Sequence, residues 1–227
     1  MKFSKNRLRQ KWEELFSRIL KRLFVSNYSL QRFFLYKSPK GYWEDRGGEK
    51  YFAEQEIRND REERSVFIAN EVAALKPGSV CEVGCGYGKQ LKNLRKLNTS
   101  MKMVGIDFSE AQLKKAKEFA DRDIALICAD AGYLPFADNS FDLVLTSAVI
   151  MHNPPEDAEL IRSEIKRIAC RYIVHNEDTN VDLTRYGYNT SEIYKKMGLK
   201  VIKSCEIPVA PDPSITQFVI VKLTNHE

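Results

Sequence analysis

Val80-Cys81-Glu82-Val83-Gly84-Cys85-Gly86-Tyr87-Gly88 decides how the rest of the chain is read. An apolar run carries one acid and breaks into three glycines at alternate positions. Leu91, Leu94 and Leu97 then follow at helical spacing. A strand, a tight turn and a helix start account for that pattern. Glycines suit such a turn because a residue without Cβ takes it cheaply and lets a ligand lie against the backbone. The helix that follows presents free N–H groups and the positive end of its dipole. The dinucleotide fingerprint is G-x-G-x-x-G; here the spacing is G-x-G-x-G, with Glu82 two residues ahead.

Outward from this turn the pattern alternates strand and helix, as a doubly wound, mostly parallel α/β sheet requires. Seven strands are expected, over 79–83, 101–106, 124–128, 141–146, 172–175, 199–205 and 216–223. The last two, joined without a helix, predict an antiparallel hairpin at the sheet edge. Ser109 reads as an N-cap. Arg58 to Leu75 reads as a helix ahead of the first strand. A polar loop is expected over 176–188. We divide the chain into a basic, aromatic helical extension or lid, 1–58, and a nucleoside-binding domain, 59–227.

The 227 residues carry a net charge of +5, unevenly spread. Residues 1–46 hold twelve Lys/Arg against four acids, a net +8, and leave the remainder slightly acidic. Residues 5–24 predict an amphipathic helix, with Trp12, Leu15, Phe16, Ile19, Leu20, Leu23 and Phe24 on one face. It suits packing on the body, and it also suits peripheral contact with an anionic membrane surface. Residues 25–59 read as an irregular aromatic segment, a lid or a packed wall, with Tyr42, Trp43 and Tyr51 as acceptor-side candidates. No apolar run reaches the ~18 residues of a membrane span. Five scattered cysteines, three of them in expected strands, read as buried thiols of a reducing compartment, and the expected location is cytoplasmic, with peripheral membrane contact open. No metal site is expected.

In open α/β sheets ligands bind beyond the carboxyl ends of the strands. Glu82, Asp107 and Asp130 stand at three such ends in succession. A carboxylate after strand two suits the hydroxyls of a ribose, and one after strand three an exocyclic amine. Without G-x-x-x-x-G-K-[ST], nucleotide hydrolysis is not indicated. Together these residues describe a nucleoside pocket.

Four segments in order and spacing resemble the class I S-adenosylmethionine (SAM)-dependent methyltransferases, and the type-11 group among them. They are Glu82–Gly88, Gly105-Ile106-Asp107-Phe108-Ser109, Ala129-Asp130-Ala131, and Leu134 to Val144 with His152 and Glu164–Ile168 beyond. The resemblance covers about residues 60–223 and implies a Rossmann-like methyltransferase fold with SAM as cofactor. It implies that Gly84, Cys85 and Gly86 lie against methionine, that Gly88 belongs to the same cofactor-binding turn, that Glu82 reaches the methionine amino group, and that Asp107 holds the ribose. Phe108 is then expected beside adenine, Asp130 and Ala131 at its amine, and Ser147 at the methionine end. A hydroxyl acceptor needs a base, for which His152 is the first candidate and His175 the second, with Glu177 on the same rim. Tyr186 and Tyr188 are expected to close the acceptor side. Asn153-Pro154-Pro155 is similar to the Asn-Pro-Pro-aromatic signature of amino-group methyltransferases. It comes seven residues after Thr146, however, and Glu156 replaces the aromatic residue, so we read it as a helix start. The expected acceptor is a small-molecule, sugar or lipid-linked compound methylated on oxygen or nitrogen. An RNA or protein acceptor docked by the basic N-terminus, or a non-catalytic SAM-binding protein, are the alternatives.

Overall fold

The computed structural model describes residues 27–36, 38–57, 59–208 and 215–223. The amphipathic segment 5–24 lies outside them.

Seven strands form one sheet in the order β3-β2-β1-β4-β5-β7-β6. They are β1 (Ser79–Val83), β2 (Lys102–Asp107), β3 (Ala125–Cys128), β4 (Phe141–Ser147), β5 (Ala169–Asp178), β6 (Lys200–Pro208) and β7 (Ile215–Lys222). The first five run parallel. β7 inserts antiparallel between β5 and β6, so the expected hairpin is present and β6 is the edge. The parallel strands read as apolar runs because helices cover both faces. Helices α4 (Asn59–Ala74), α5 (Lys89–Leu97) and α6 (Glu110–Phe119) lie on one side, over a core that includes Ile68, Val72, Leu91, Leu94, Leu113 and Leu143. Helices α7 (Pro155–Ile168) and α8 (Thr190–Lys196) belong with the other, around Ile161, Ile165, Ile173 and Tyr194. Ser109 caps α6 as expected, accepting from the Gln112 N–H. Pro155 stands in the first turn of α7, so the Asn153-Pro154-Pro155 run is a helix start.

The segment expected to be irregular is helical. It forms α1 (Tyr28–Leu35), α2 (Pro39–Arg46) and α3 (Glu49–Glu56). Asn27 and Ser38 cap the first two, accepting from the N–H groups of Leu30 and Gly41, and Gly47-Gly48 turns the chain into the third. Short helices broken by capping residues leave little apolar periodicity to read. Aromatic rings bind this lid to the body. Tyr36, Tyr42, Trp43 and Tyr51 form a chain of edge-on contacts that continues through Tyr87 to Phe119. Of the cysteines, Cys81 and Cys85 are buried, but Cys128 is exposed. β3 is an edge strand paired only to β2, so its last residue is not covered as a central strand would be. No described helix is long and apolar enough to cross a membrane.

Candidate active site

One cavity of about 380 Å³ opens at the carboxyl edge of the sheet, under the lid. Gly84, Asp107, Asp130, Ser147 and Asp178 reach it from the ends of β1 through β5. Pro39, Tyr42, Trp43, Arg46 and Tyr51 reach it from α2 and α3.

The glycine turn is fixed by its neighbours. The N–H groups of Gly84 and Cys85 both donate to the Ile106 carbonyl, at 2.7 and 2.8 Å. Gly84 has φ +72°, and a Cβ there would stand 2.3 Å from Val149 Cγ2. At Gly86 (φ +53°) a Cβ would meet nothing nearer than Gln112 Nε2 at 4.0 Å, so that position is open. Asp107 closes the turn from the next strand. Its two carboxylate oxygens accept from Gly86 N–H at 2.8 Å and from Ser109 N–H at 2.9 Å. Burial raises the Asp107 pKa against the pull of these bonds. Each oxygen keeps a second lone pair for a ligand.

Asp130 is half engaged by the lid. One oxygen accepts from Gly132 N–H at 2.9 Å and the other from Lys40 Nζ of α2. Burial alone would raise its pKa, but the Lys40 and Gly132 bonds outweigh it and hold the carboxyl below its usual value.

His152 follows from β4 by a constrained path. Ala148 adopts φ +59°, a conformation side chains rarely take, and its N–H donates to Asn176 O at 2.9 Å. Glu177 then catches the backbone, accepting from the N–H groups of Val149 and Met151 at 3.1 Å each. The chain turns once through Ile150–His152, and the His152 ring reaches the cavity. Trp43 lies 4.7 Å from that ring, centre to centre. Nδ1 is 2.7 Å from the Thr184 carbonyl. A carbonyl only accepts, so Nδ1 carries the proton and Nε2 the lone pair. Burial, opposed by that bond, lowers the His152 pKa to about 4, so the ring is neutral at pH 7.

His175 is not in the cavity. It is fully buried on the opposite face of β5, with Thr146 Oγ1 2.6 Å from Nδ1 and the Tyr194 hydroxyl 2.7 Å from Nε2. Thr146 donates its own proton to Glu177 Oε1 at 2.7 Å, so it accepts from His175 Nδ1–H, and Tyr194 donates to Nε2. This polarised chain ends on the carboxylate that holds the 149–151 backbone. Burial keeps the His175 pKa near 3. As a second base His175 is therefore withdrawn, and Glu177 with it.

Of the other expected residues, Gly84, Gly86, Asp107, Phe108, Asp130, Ala131 and Ser147 line the cavity, with Tyr42, Trp43 and Tyr51 facing them. Glu82, Cys85 and Gly88 do not. Glu82 is buried behind the turn, where burial and the nearby Asp107 push its pKa well up. Cys85 fills the space beside Gly105, where a Cβ would stand 2.9 Å from its Sγ. Gly88 caps α5 in the left-handed conformation. Tyr186 and Tyr188 stand behind the wall. Arg32 lies over the Tyr186 ring, and the Tyr188 hydroxyl donates to Asn153 O at 2.7 Å.

A family model described as a methyltransferase domain, of the type-11 group, matches residues 81–171, from β1 into β5. Residues 81–171 are thus a type-11 methyltransferase domain, of the class I kind. Sterol 24-C-methyltransferase ERG6B of Gibberella zeae is 31% identical over 108 residues, 45% of this chain and 27% of that protein. Malonyl-(acyl-carrier protein) O-methyltransferase of Legionella pneumophila is 37% identical over 78 residues, 34% and 28% of the two chains. Methyltransferase GfsG of Streptomyces halstedii is 30% identical over 149 residues, 63% and 50% of the two chains. The chain spans between about a quarter and a half of the length of these curated relatives. Among solved structures, magnesium protoporphyrin IX methyltransferase (ChlM) from Synechocystis PCC 6803 with bound SAM shares the fold. Its TM-score is 0.63 at 18% identity, over 91% of this chain and 96% of that chain.

The site fits the methyl donor of such a family. Gly86 leaves room against the backbone, and Gln112 Oε1, buried in the cavity wall, has no hydrogen-bond partner among the described residues. Sequence reasoning missed several lining groups, among them Lys40, Gln112, Asp178, Thr184 and Arg185. Gln112 had a readable signal, being one helical turn beyond the N-cap Ser109 that follows Asp107.

Proposed function

We infer that this methyltransferase transfers a methyl group from SAM to oxygen or nitrogen of a small-molecule, sugar or lipid-linked acceptor, and that within this class a hydroxyl is favoured. When bound, SAM supplies an electrophilic methyl group on a sulfonium centre. Gly84, Gly86 and Ser147 would hold its methionine part, Asp107 the ribose hydroxyls, Phe108 and Ala131 the adenine, and Asp130 its amine. Tyr42, Trp43 and Tyr51 cover the opposite wall and exclude water, which leaves proximity and orientation to lower the barrier.

The single observation that carries the hydroxyl preference is the state of His152. A neutral ring, protonated at Nδ1, keeps Nε2 as the nitrogen able to take a proton from an acceptor hydroxyl. The O-methyltransferase among the relatives supports oxygen as acceptor atom.

Titration calorimetry with SAM and S-adenosylhomocysteine tests the donor site, with Asp107→Ala as control. Micromolar binding that disappears in the variant supports the reading. Folded wild-type protein that binds neither compound refutes it. Labelled SAM with hydroxyl, amine and carboxylate acceptors then tests the acceptor class.

A further inference from the structure

Lid helix α1 holds the loop beside His152 through Arg32. The Arg32 guanidinium donates from Nη2 to the carbonyls of Asp182 and Arg185, and from Nε to that of Leu183 at 3.2 Å. Its Cζ lies 4.0 Å over the Tyr186 ring. Three carbonyls within four residues thus converge on one planar fork, a geometry that a single lysine ammonium on a flexible stem does not reproduce. Among these residues Arg32 leaves one carbonyl over, that of Thr184, and this is the one that accepts from His152 Nδ1–H. The C-cap residue of the same helix, Tyr36, also touches His152 directly, its hydroxyl donating to the His152 carbonyl at 3.2 Å.

We propose that Arg32 is a positioning residue for proton abstraction: by gathering the 182–185 carbonyls it aims the Thr184 carbonyl at His152 and fixes the tautomer that leaves Nε2 basic. The base then exists in working form only when α1 is seated on the loop, which couples lid docking to chemistry. The inference rests on reading His152 as the base. The loop has other supports that keep it folded without Arg32. Asp182 Oδ1 accepts from the N–H groups of Thr184 and Arg185 at 2.8 Å each, Tyr186 N–H donates to Met151 O at 2.7 Å, and Arg185 pairs with Asp178 and Asp182. Those bonds hold the loop together but do not tie it to α1. The charged groups acting on the His152 ring are Arg185, Asp182 and Asp178, from the loop and β5, and the lid contributes the Trp43 ring and Tyr36.

Long-range nitrogen–proton NMR of the imidazole rings tests the proposal in the full chain. There are three histidines, and His152→Gln assigns the relevant signals. In the wild type the ring is expected as the neutral Nδ1–H tautomer. In Arg32→Ala and in Arg32→Lys the two tautomers should mix, and the titration midpoint should rise by about one to two pH units as the loop loosens and water reaches the ring. S-adenosylhomocysteine affinity should stay unchanged, because the donor wall is untouched. Arg32→Lys keeps the charge and carries the test if Arg32→Ala fails to fold. Variants whose His152 keeps both tautomer and midpoint overturn the role of Arg32 alone. A wild-type ring protonated at Nε2 overturns the reading of the base itself.

Discussion

Replacing Gly84 with alanine separates two demands that the glycine turn makes on the backbone. Gly84 and Gly198 have nearly the same φ, +72° and +74°. A Cβ at Gly198 meets nothing within 4 Å, whereas one at Gly84 would stand 2.3 Å from Val149 Cγ2 and 3.1 Å from Cγ1. The left-handed conformation costs an alanine about 1–2 kcal/mol. Gly198→Ala should lose that and little else. Gly84→Ala should lose it together with the overpacking of Val149, a further ~1–3 kcal/mol, for about 2–5 kcal/mol in all. Val149 cannot retreat freely, because its N–H is held by Glu177. For a chain of this size the melting point falls by about 2–4 °C per kcal/mol, so the two variants should be distinguishable by calorimetry and urea titration. The double variant Gly84→Ala/Val149→Ala should recover most of the overpacking and none of the conformational cost. If Gly84→Ala melts with Gly198→Ala, Val149 is not pressed on the turn, and the account of how β4 meets β1 at the cavity fails.

Four further outcomes are expected. His152→Gln should lower methyl transfer to a hydroxyl by about 10²–10⁴-fold while leaving S-adenosylhomocysteine affinity unchanged, and an equal loss of affinity would move His152 into the donor site. Because its folded pKa of about 4 lies below the ordinary value, the unfolded chain gains a proton first as pH falls, so between pH 7 and 5 the wild type should lose about 2 kcal/mol that His152→Gln does not. Thr146→Val should strand the His175 donor and remove a bond from Glu177, destabilising by about 2–4 kcal/mol in urea titration, whereas Thr146→Ser should lose less than half of that. Lys40→Met frees one oxygen of Asp130, so cofactor affinity should rise by up to about five-fold, the ceiling for an exposed pair; a ten-fold loss would make Lys40 part of the donor site.

The glycine turn, the order of the strands and the carboxylates at their ends were legible because each leaves a local signature. Fully buried parallel strands are apolar along their length, and a carboxylate that stops such a run is easily seen. β5 shows where legibility ends. Its last residues, Asn176, Glu177 and Asp178, read as loop because they are polar, yet all three are buried and paired with Phe218, Gln217 and Thr216 of β7. The strand continues because an antiparallel neighbour supplies its backbone partners, which no property of 176–178 announces. The misplacement of His175 has the same origin. Successive side chains alternate across a sheet, so a strand extended to Asp178 puts His175 and Glu177 on one face with Thr146, while Asn176 and Asp178 turn toward Ser147 and the cavity. The strand was expected to stop at His175; it runs three residues further, so His175 lies within it and faces Thr146.

The two halves of the site also differ in what relatives can say about them. The matched residues 81–171 contain the glycine turn, Asp107, Asp130, Ser147 and His152, which we propose as the donor wall and the base. Tyr42, Trp43, Arg46, Tyr51, Asp178, Thr184 and Arg185 all lie outside that span. The wall that an acceptor would meet is therefore built from α2, α3 and the loop after β5, and Arg32 ties the same loop to α1. The sterol and acyl-carrier-protein methyltransferases among the relatives match this chain over 108 and 78 residues, less than half of it. Acceptor specificity should consequently move with residues 27–57 and 178–188 as a unit. Exchanging only one of the two for the equivalent segment of another type-11 enzyme should break the Arg32–loop contacts and lower transfer to either enzyme's acceptor. Exchanging both should carry the acceptor preference across while leaving cofactor affinity where it was. If the lid segment alone carries the preference, the loop after β5 is only a support for His152.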